Sequence, residues 1–348
     1  CSGQQAVCTL TMDRARSVTA KFAAVNFAFI SSESFTGTEG AGLGARPYDD
    51  HCNRLATAAG INNGDGDAYT ALLADATSTP AQRLTGARGW IRVDGQPFMD
   101  VFSEMNVMNA LSVTETGSSV TGHVRTLVST KLVHCSNWTD PNGTVDWGVA
   151  TGGPSRWLSG PPSGAKECGA ARQIYCMSKR ASVPMSIPRR PGSKLIYLSS
   201  SALPVGIVTP DEHCRATKPA GAGSVQALLA RDGLAASAFL SSTAEYVRPD
   251  GVLVGTGAEL AGGVVRSGIW QQGNGTYVAL GPTASPALTG AAAPIEAGSA
   301  ASTAEDWSNP SAMAVRGADW GDVSRWWMEG VSLDVGAGGT HRIYCVEQ

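Results

Sequence analysis

The chain has 348 residues, room for two ordinary domains, and only 16% of them are charged, well below the usual quarter. A formal net charge of −3 argues against a nucleic-acid binder, and no apolar run reaches the roughly 18 residues of a membrane helix. Apolar content of 43% supports packed cores rather than disorder.

The first 25 residues carry two alternating strands, Thr9–Met12 and Ser17–Phe22, around Asp13-Arg14-Ala15-Arg16. A two-stranded hairpin is marginal alone, so this reads as the end of a longer β-module or an arm packed on the domain after it. From residue 26 the chain repeats itself. Phe27-Ala28-Phe29-Ile30-Ser31-Ser32 returns as Leu195-Ile196-Tyr197-Leu198-Ser199-Ser200, and His51-Cys52 returns as His213-Cys214. Ala71-Leu72-Leu73-Ala74 returns unchanged as Ala227-Leu228-Leu229-Ala230. Both copies end on Ile-Tyr-Cys, at Cys176 and Cys345, and Trp138 and Trp307 each stand 38 residues before that cysteine. A duplication at that spacing gives copies over 26–180 and 194–348, with a Pro/Arg linker over 181–193 holding Pro184, Pro188, Pro191, Arg189 and Arg190. Such composition predicts a short, stiff, exposed spacer.

In each copy the order of elements is the same. Phe27–Ser31 and Leu195–Ser199 read as opening strands. A helix follows around the first cysteine: Pro47, Asp49 and Asp50 mark its start in copy 1, and Thr209-Pro210-Asp211-Glu212 is a capping box in copy 2. Gly60 and Gly221 fit the helix exits, and Tyr69–Asp75 reads as a short strand or helix. Asp94-Gly95 and Asp250-Gly251 lie between extended runs, a hairpin signal. Long Gly/Ser/Thr-rich loops holding tryptophans come next, then a closing strand. Few helices, short strands and stapled loops give an α+β class.

Eight cysteines, none in a C-x-x-C pair, point to disulfides in an oxidising compartment. The repeat orders them. Cys135 and Cys168 align with Ala304 and Ala337, so those two are lost together, as partners would be. The pairs are therefore Cys52–Cys176, Cys135–Cys168 and Cys214–Cys345, leaving Cys1–Cys8 as a local bridge.

Each copy resembles the endostatin-like (collagen NC10) module of the C-type-lectin-like fold, and in particular its bacterial secreted relatives. The resemblance rests on the opening strand with Ser-Ser, the helical Asp-x-His-Cys, Ala-Leu-Leu-Ala, the Asp-Gly turn, Cys135-Ser136-Asn137-Trp138 and the Ile-Tyr-Cys ending. The nested bridges of copy 1 are also the endostatin arrangement. Cys1 to Phe22 is similar to the closing half of a divergent internalin-type B-repeat. The resemblance implies two tandem disulfide-stapled domains behind a β-hairpin remnant, a segment of a larger extracellular or cell-surface bacterial protein, and a binder rather than an enzyme. The expected partner is a glycan or protein ligand held by the loops between Asp94 and Cys168 and between Asp250 and Tyr344. The alternatives are a self-associating building block of an extracellular appendage and a calcium-dependent lectin.

Individual residues carry weaker signals. His-Glu-x-x-His, phosphate-loop and nucleophile-elbow motifs are absent. His51 and His213 read as helix-packing or acid-paired histidines, and endostatin's zinc-binding histidine cluster and arginine-rich face have no counterpart. No cofactor is expected beyond calcium, for which Asp65 and Asp67 in Asn62-Asn63-Gly64-Asp65-Gly66-Asp67 are the candidate ligands; a solvated turn is the plainer alternative. Asp140 and Asn309, two residues after Trp138 and Trp307, are similar in place to the sugar-binding strand of C-type lectins. Trp270 and Trp327 have no counterpart in copy 1 and are candidates for ligand stacking.

Overall fold

The computed structural model describes residues 25–62, 68–127, 135–154, 156–158, 166–278, 287–310, 315–318, 323, 326–327, 331–333 and 341–348. The N-terminal hairpin, the Cys1–Cys8 bridge, Asp65 and Asp67 lie outside the described residues.

The fold is mixed α+β. The first half holds β1 (Asn26–Ile30), β2 (Tyr69–Ala71), β3 (Trp90–Arg92), β4 (Pro97–Met99), β5 (His123–Arg125), β6 (Thr144–Val145), β7 (Trp147–Val149), β8 (Lys166–Glu167) and β9 (Gln173–Ser178). Its sheet runs β4-β3-β1-β9-β5-β7, with β2 also paired to β9. The second half holds β10 (Lys194–Leu198), β11 (Val225–Ala227), β12 (Glu245–Val247), β13 (Leu253–Thr256), β14 (Ala287–Leu288), β15 (Val315–Ala318), β16 (Val331–Leu333) and β17 (Tyr344–Glu347). Its main sheet runs β11-β17-β10-β12-β13, and β14-β15-β16 form a separate one. One pairing scheme occurs in both halves. The opening strand lies parallel to the first hairpin strand (β1 on β3, β10 on β12) and antiparallel to the closing strand (β1 on β9, β10 on β17). Both hairpins turn on their Asp-Gly pair.

The opening strands are apolar on both faces, as a central strand with a core on either side requires. Ala28 and Ile30 face one core while Phe29 faces the other; Ile196 and Leu198 are likewise separated from Tyr197. Phe29 packs with Leu55 and Trp138 around the Cys52–Cys176 bridge. Tyr197 packs with Trp307 around Cys214–Cys345. The remaining core is shared: Ile30, Trp157 and Tyr175 of the first half form one cluster with Ile196, Trp270 and Tyr344 of the second.

The bridges join Cys52 to Cys176, Cys135 to Cys168 and Cys214 to Cys345, the three pairs read from the repeat. In each half the first bridged cysteine sits on a helix, Arg46–Ala58 or Pro210–Ala216. Asp49 and Asp211 anchor these helices to the sheet. Each accepts the backbone amide at the end of the adjacent strand (Ala71 at 2.7 Å, Ala227 at 2.9 Å) and pairs with an arginine, Arg83 or Arg231. The Thr209–Glu212 capping box is present. That helix stops at Ala216, well short of the expected exit at Gly221, because Pro219 cannot continue a helical ladder. The segment Tyr69–Ala71 is a strand.

The linker between the halves is tethered along its length. Asp100 Oδ1 accepts from the Met185 amide at 2.9 Å, Arg189 pairs with Glu347 at 2.6 Å, and Arg190 pairs with Glu245 at 2.9 Å. Among the described residues no helix is long and apolar enough to cross a membrane.

Candidate recognition site

A walled cleft opens on the second half, within the long loops after Asp250. Its sides are Ala261, Gly262 and Gly263 on one edge, Ala292 to Ile295 on the other, and Trp326 and Trp327 beneath, enclosing about 220 Å³. The first edge is fixed by local chemistry. Thr256 caps the short helix Gly257–Ala261 in a reciprocal box with Glu259, and Arg266 forks onto the same carboxylate at 2.8 and 3.0 Å. The Arg266 hydrogen bonds hold the Glu259 carboxyl below its usual range. The floor is aromatic: Trp326 donates its Nε1 proton to Gly263 O at 2.8 Å, meets Trp327 edge-on at 5.3 Å, and receives the Tyr344 hydroxyl on its carbonyl at 2.8 Å. Val264 and Ile295, 56% and 66% exposed, extend the apolar rim.

Among the described residues none of the lining side chains is charged, and their only polar atoms are the indole nitrogens. One of these donates to Gly263; the other, Trp327 Nε1, is buried with no hydrogen-bond partner among the described residues. An apolar side chain requires only volume and aromatic surface.

The sequence-derived candidates are dispersed. Trp327 forms part of the cleft floor. Trp270 is the main correction: it is fully buried, its ring wedged against the first half, so it presents no face for stacking a ligand. Its polar neighbours Gln271 and Gln272 are buried with it. Asp140 Oδ1 closes a local turn by accepting from the Asn142 amide at 2.9 Å, and Asn309 donates to Glu305 at 3.1 Å. Neither belongs to a group of three or more metal-ligating side chains; there is none among the described residues. His51 pairs with Glu39 at 2.7 Å and stacks on Phe35, while His213 Nε2 meets the Ser201 carbonyl at 3.1 Å.

One feature escaped sequence reasoning. Cys135, Ser136, Asn137 and Trp138 all have positive φ, from 47° to 66°, and so do Ala304, Glu305, Asp306 and Trp307, from 52° to 67°. Each set is a complete left-handed turn containing no glycine, a conformation that costs roughly 1–2 kcal/mol per residue. Each turn ends on a tryptophan that is buried in its own half.

The chain matches no family model, and no curated protein matches it.

Proposed function

We propose that the chain is an extracellular recognition module built from two C-type-lectin-like domains in tandem. Its partner is a protein that inserts an apolar side chain into the cleft between Gly263, Ile295 and Trp327. The carrying observation is the cleft's composition: aromatic floor, Ala/Gly/Pro/Ile walls and no charged liner among the described residues. That composition favours a protein anchor over a glycan, and a binder over a hydrolase, which needs titratable groups converging on its substrate. The strand pairing seen in both halves supports the tandem reading, and the three disulfides suit an oxidising exterior.

The test is a peptide-display selection on the oxidised chain, run beside a glycan array. Selected peptides share an aromatic or aliphatic anchor. Ile295→Asp and Trp327→Ala each weaken them about tenfold or more, as loss of an interface anchor does. Glycan binding indifferent to both substitutions would refute the reading.

A further inference from the structure

The contact between the halves is asymmetric in a way that the duplication makes measurable. Residues 110–114 correspond to residues 268–272, because equivalent bridges fix both segments. Thr114 lies beside Ile30 as Gln272 lies beside Leu198, and Val113 faces Ser119 as Gln271 faces Tyr277. Trp270 therefore stands where the first half has Ser112. Ser112 stays within its own half, its Oγ 3.3 Å from the Arg92 guanidinium. Trp270 instead reaches across: its Nε1 donates to Val107 O at 2.6 Å, and its six-membered ring lies flat enough on Gly153 that a Cβ there would overlap it.

The surroundings of Trp270 complete the joint. Arg248, fully buried, stacks 5.3 Å from the indole, pairs with Asp250 and donates to Met108 O of the other half at 2.7 Å. The Ser267 hydroxyl donates to the same carbonyl at 3.0 Å. A second crossing runs from the Val323 amide to Thr151 O at 3.2 Å. A buried guanidinium with all its partners placed, beside a buried tryptophan, is the composition of an interface centre.

The receiving side is equally one-sided. Seven residues, including Gly152 and Gly153, separate Trp147 from Ser155, and only three separate Trp320 from Ser324. The glycine loop that accommodates the indole thus has no counterpart in the second half. Val107 and Met108 correspond to Val265 and Arg266, since Met108 and Arg266 donate to Phe98 O and Val254 O alike. There the Arg266 guanidinium is engaged by Glu259.

We propose that Trp270 and the Gly152–Gly153 loop form a one-way lock between the halves. The second half carries the insert and the first half the socket, so the contact is satisfied within one chain and holds both long-loop faces in one fixed relation. A head-to-tail contact propagates into a filament only when every unit carries both surfaces, and here neither outer unit offers the missing one. This inference is independent of what the cleft binds.

The test uses the full oxidised chain with Trp270→Ser, which restores the first half's residue, and separately Gly153→Leu, which fills the socket and leaves Trp270 intact. Both variants are expected to enlarge the radius of gyration in small-angle scattering and to speed exchange of the Val323 amide roughly tenfold or more, with the three disulfides intact by peptide mapping. Wild-type and variants sediment as monomers. Unchanged scattering and exchange in both variants would overturn the lock. Concentration-dependent wild-type assemblies that Trp270→Ser dissolves would overturn its closure.

Discussion

Trp138 donates its Nε1 proton to the carbonyl of Ala74 at 2.9 Å, closing the first half's left-handed turn onto the end of its central segment. Trp307 makes the same bond to Ala230 at 3.0 Å in the second half. Both carbonyls belong to the last alanine of the Ala-Leu-Leu-Ala run, and both donors are buried. Replacing either indole by phenylalanine keeps an aromatic ring and leaves a buried carbonyl without its donor. Trp138→Phe and Trp307→Phe are each expected to cost about 1–3 kcal/mol, read from the shift in urea midpoint at constant slope.

The turn itself gives a prediction of opposite sign. Ser136 is exposed and has φ of 47°, where a Cβ is penalised and glycine is not. Ser136→Gly is expected to raise stability by up to about 1 kcal/mol, and Ser136→Val to lower it by more than that. Thermal melts of the two variants side by side check the ordering.

Asp75 carries a pH dependence. Burial would raise its pKa, but the Thr77 hydroxyl and the Thr77, Ala45 and Ser78 amides overcome that and hold it at about 2, against 3.8 for an ordinary aspartate. A depressed acid contributes stability that is complete above the unfolded value and is lost as pH falls through the folded one. The difference in stability between the wild-type chain and Asp75→Asn is therefore expected to be constant above pH 5 and to shrink between pH 4 and 2. Denaturation series at several pH values measure it.

The bridges differ in consequence. By chain entropy, Cys135–Cys168, closing 33 positions, is worth about 4 kcal/mol, and Cys214–Cys345, closing 131, about 5 kcal/mol. The second half already folds without an inner bridge. Cys135→Ser with Cys168→Ser should thus leave the first half folded but softened, whereas Cys214→Ser with Cys345→Ser should unfold the second. Peptide-resolved hydrogen exchange separates the two outcomes.

The duplication made much of this fold legible. Repeated letters at repeated spacing located both opening strands, both bridged helices, the Asp-Gly hairpins and the disulfide partners, since each of these depends on local pattern or on the alignment of one copy with the other. The left-handed turns were not legible. Cys135-Ser136-Asn137-Trp138 contains no glycine to signal positive φ, and the acceptor of its tryptophan lies more than 60 positions away. Trp270 was misread for a related reason. Its neighbours are polar, and the surface that buries the indole belongs to the other half, 163 positions away at Val107. The cleft was not legible: its floor tryptophans are almost wholly buried, and the alanine and glycine walls have no chemical signature until the loops close around them.

The outer bridges also set a mechanical limit. Cys52–Cys176 and Cys214–Cys345 enclose 124 and 131 positions, so a pull along the backbone passes through sulfur and bypasses everything between. Even a fully unravelled half then withholds roughly 400 Å of contour, at ~3.4 Å per residue. Under tension each bridged loop of the oxidised chain behaves as a short, nearly inextensible link; reduction of Cys214–Cys345 would release its stored length, whereas in the first half Cys135–Cys168 would still withhold 33 positions.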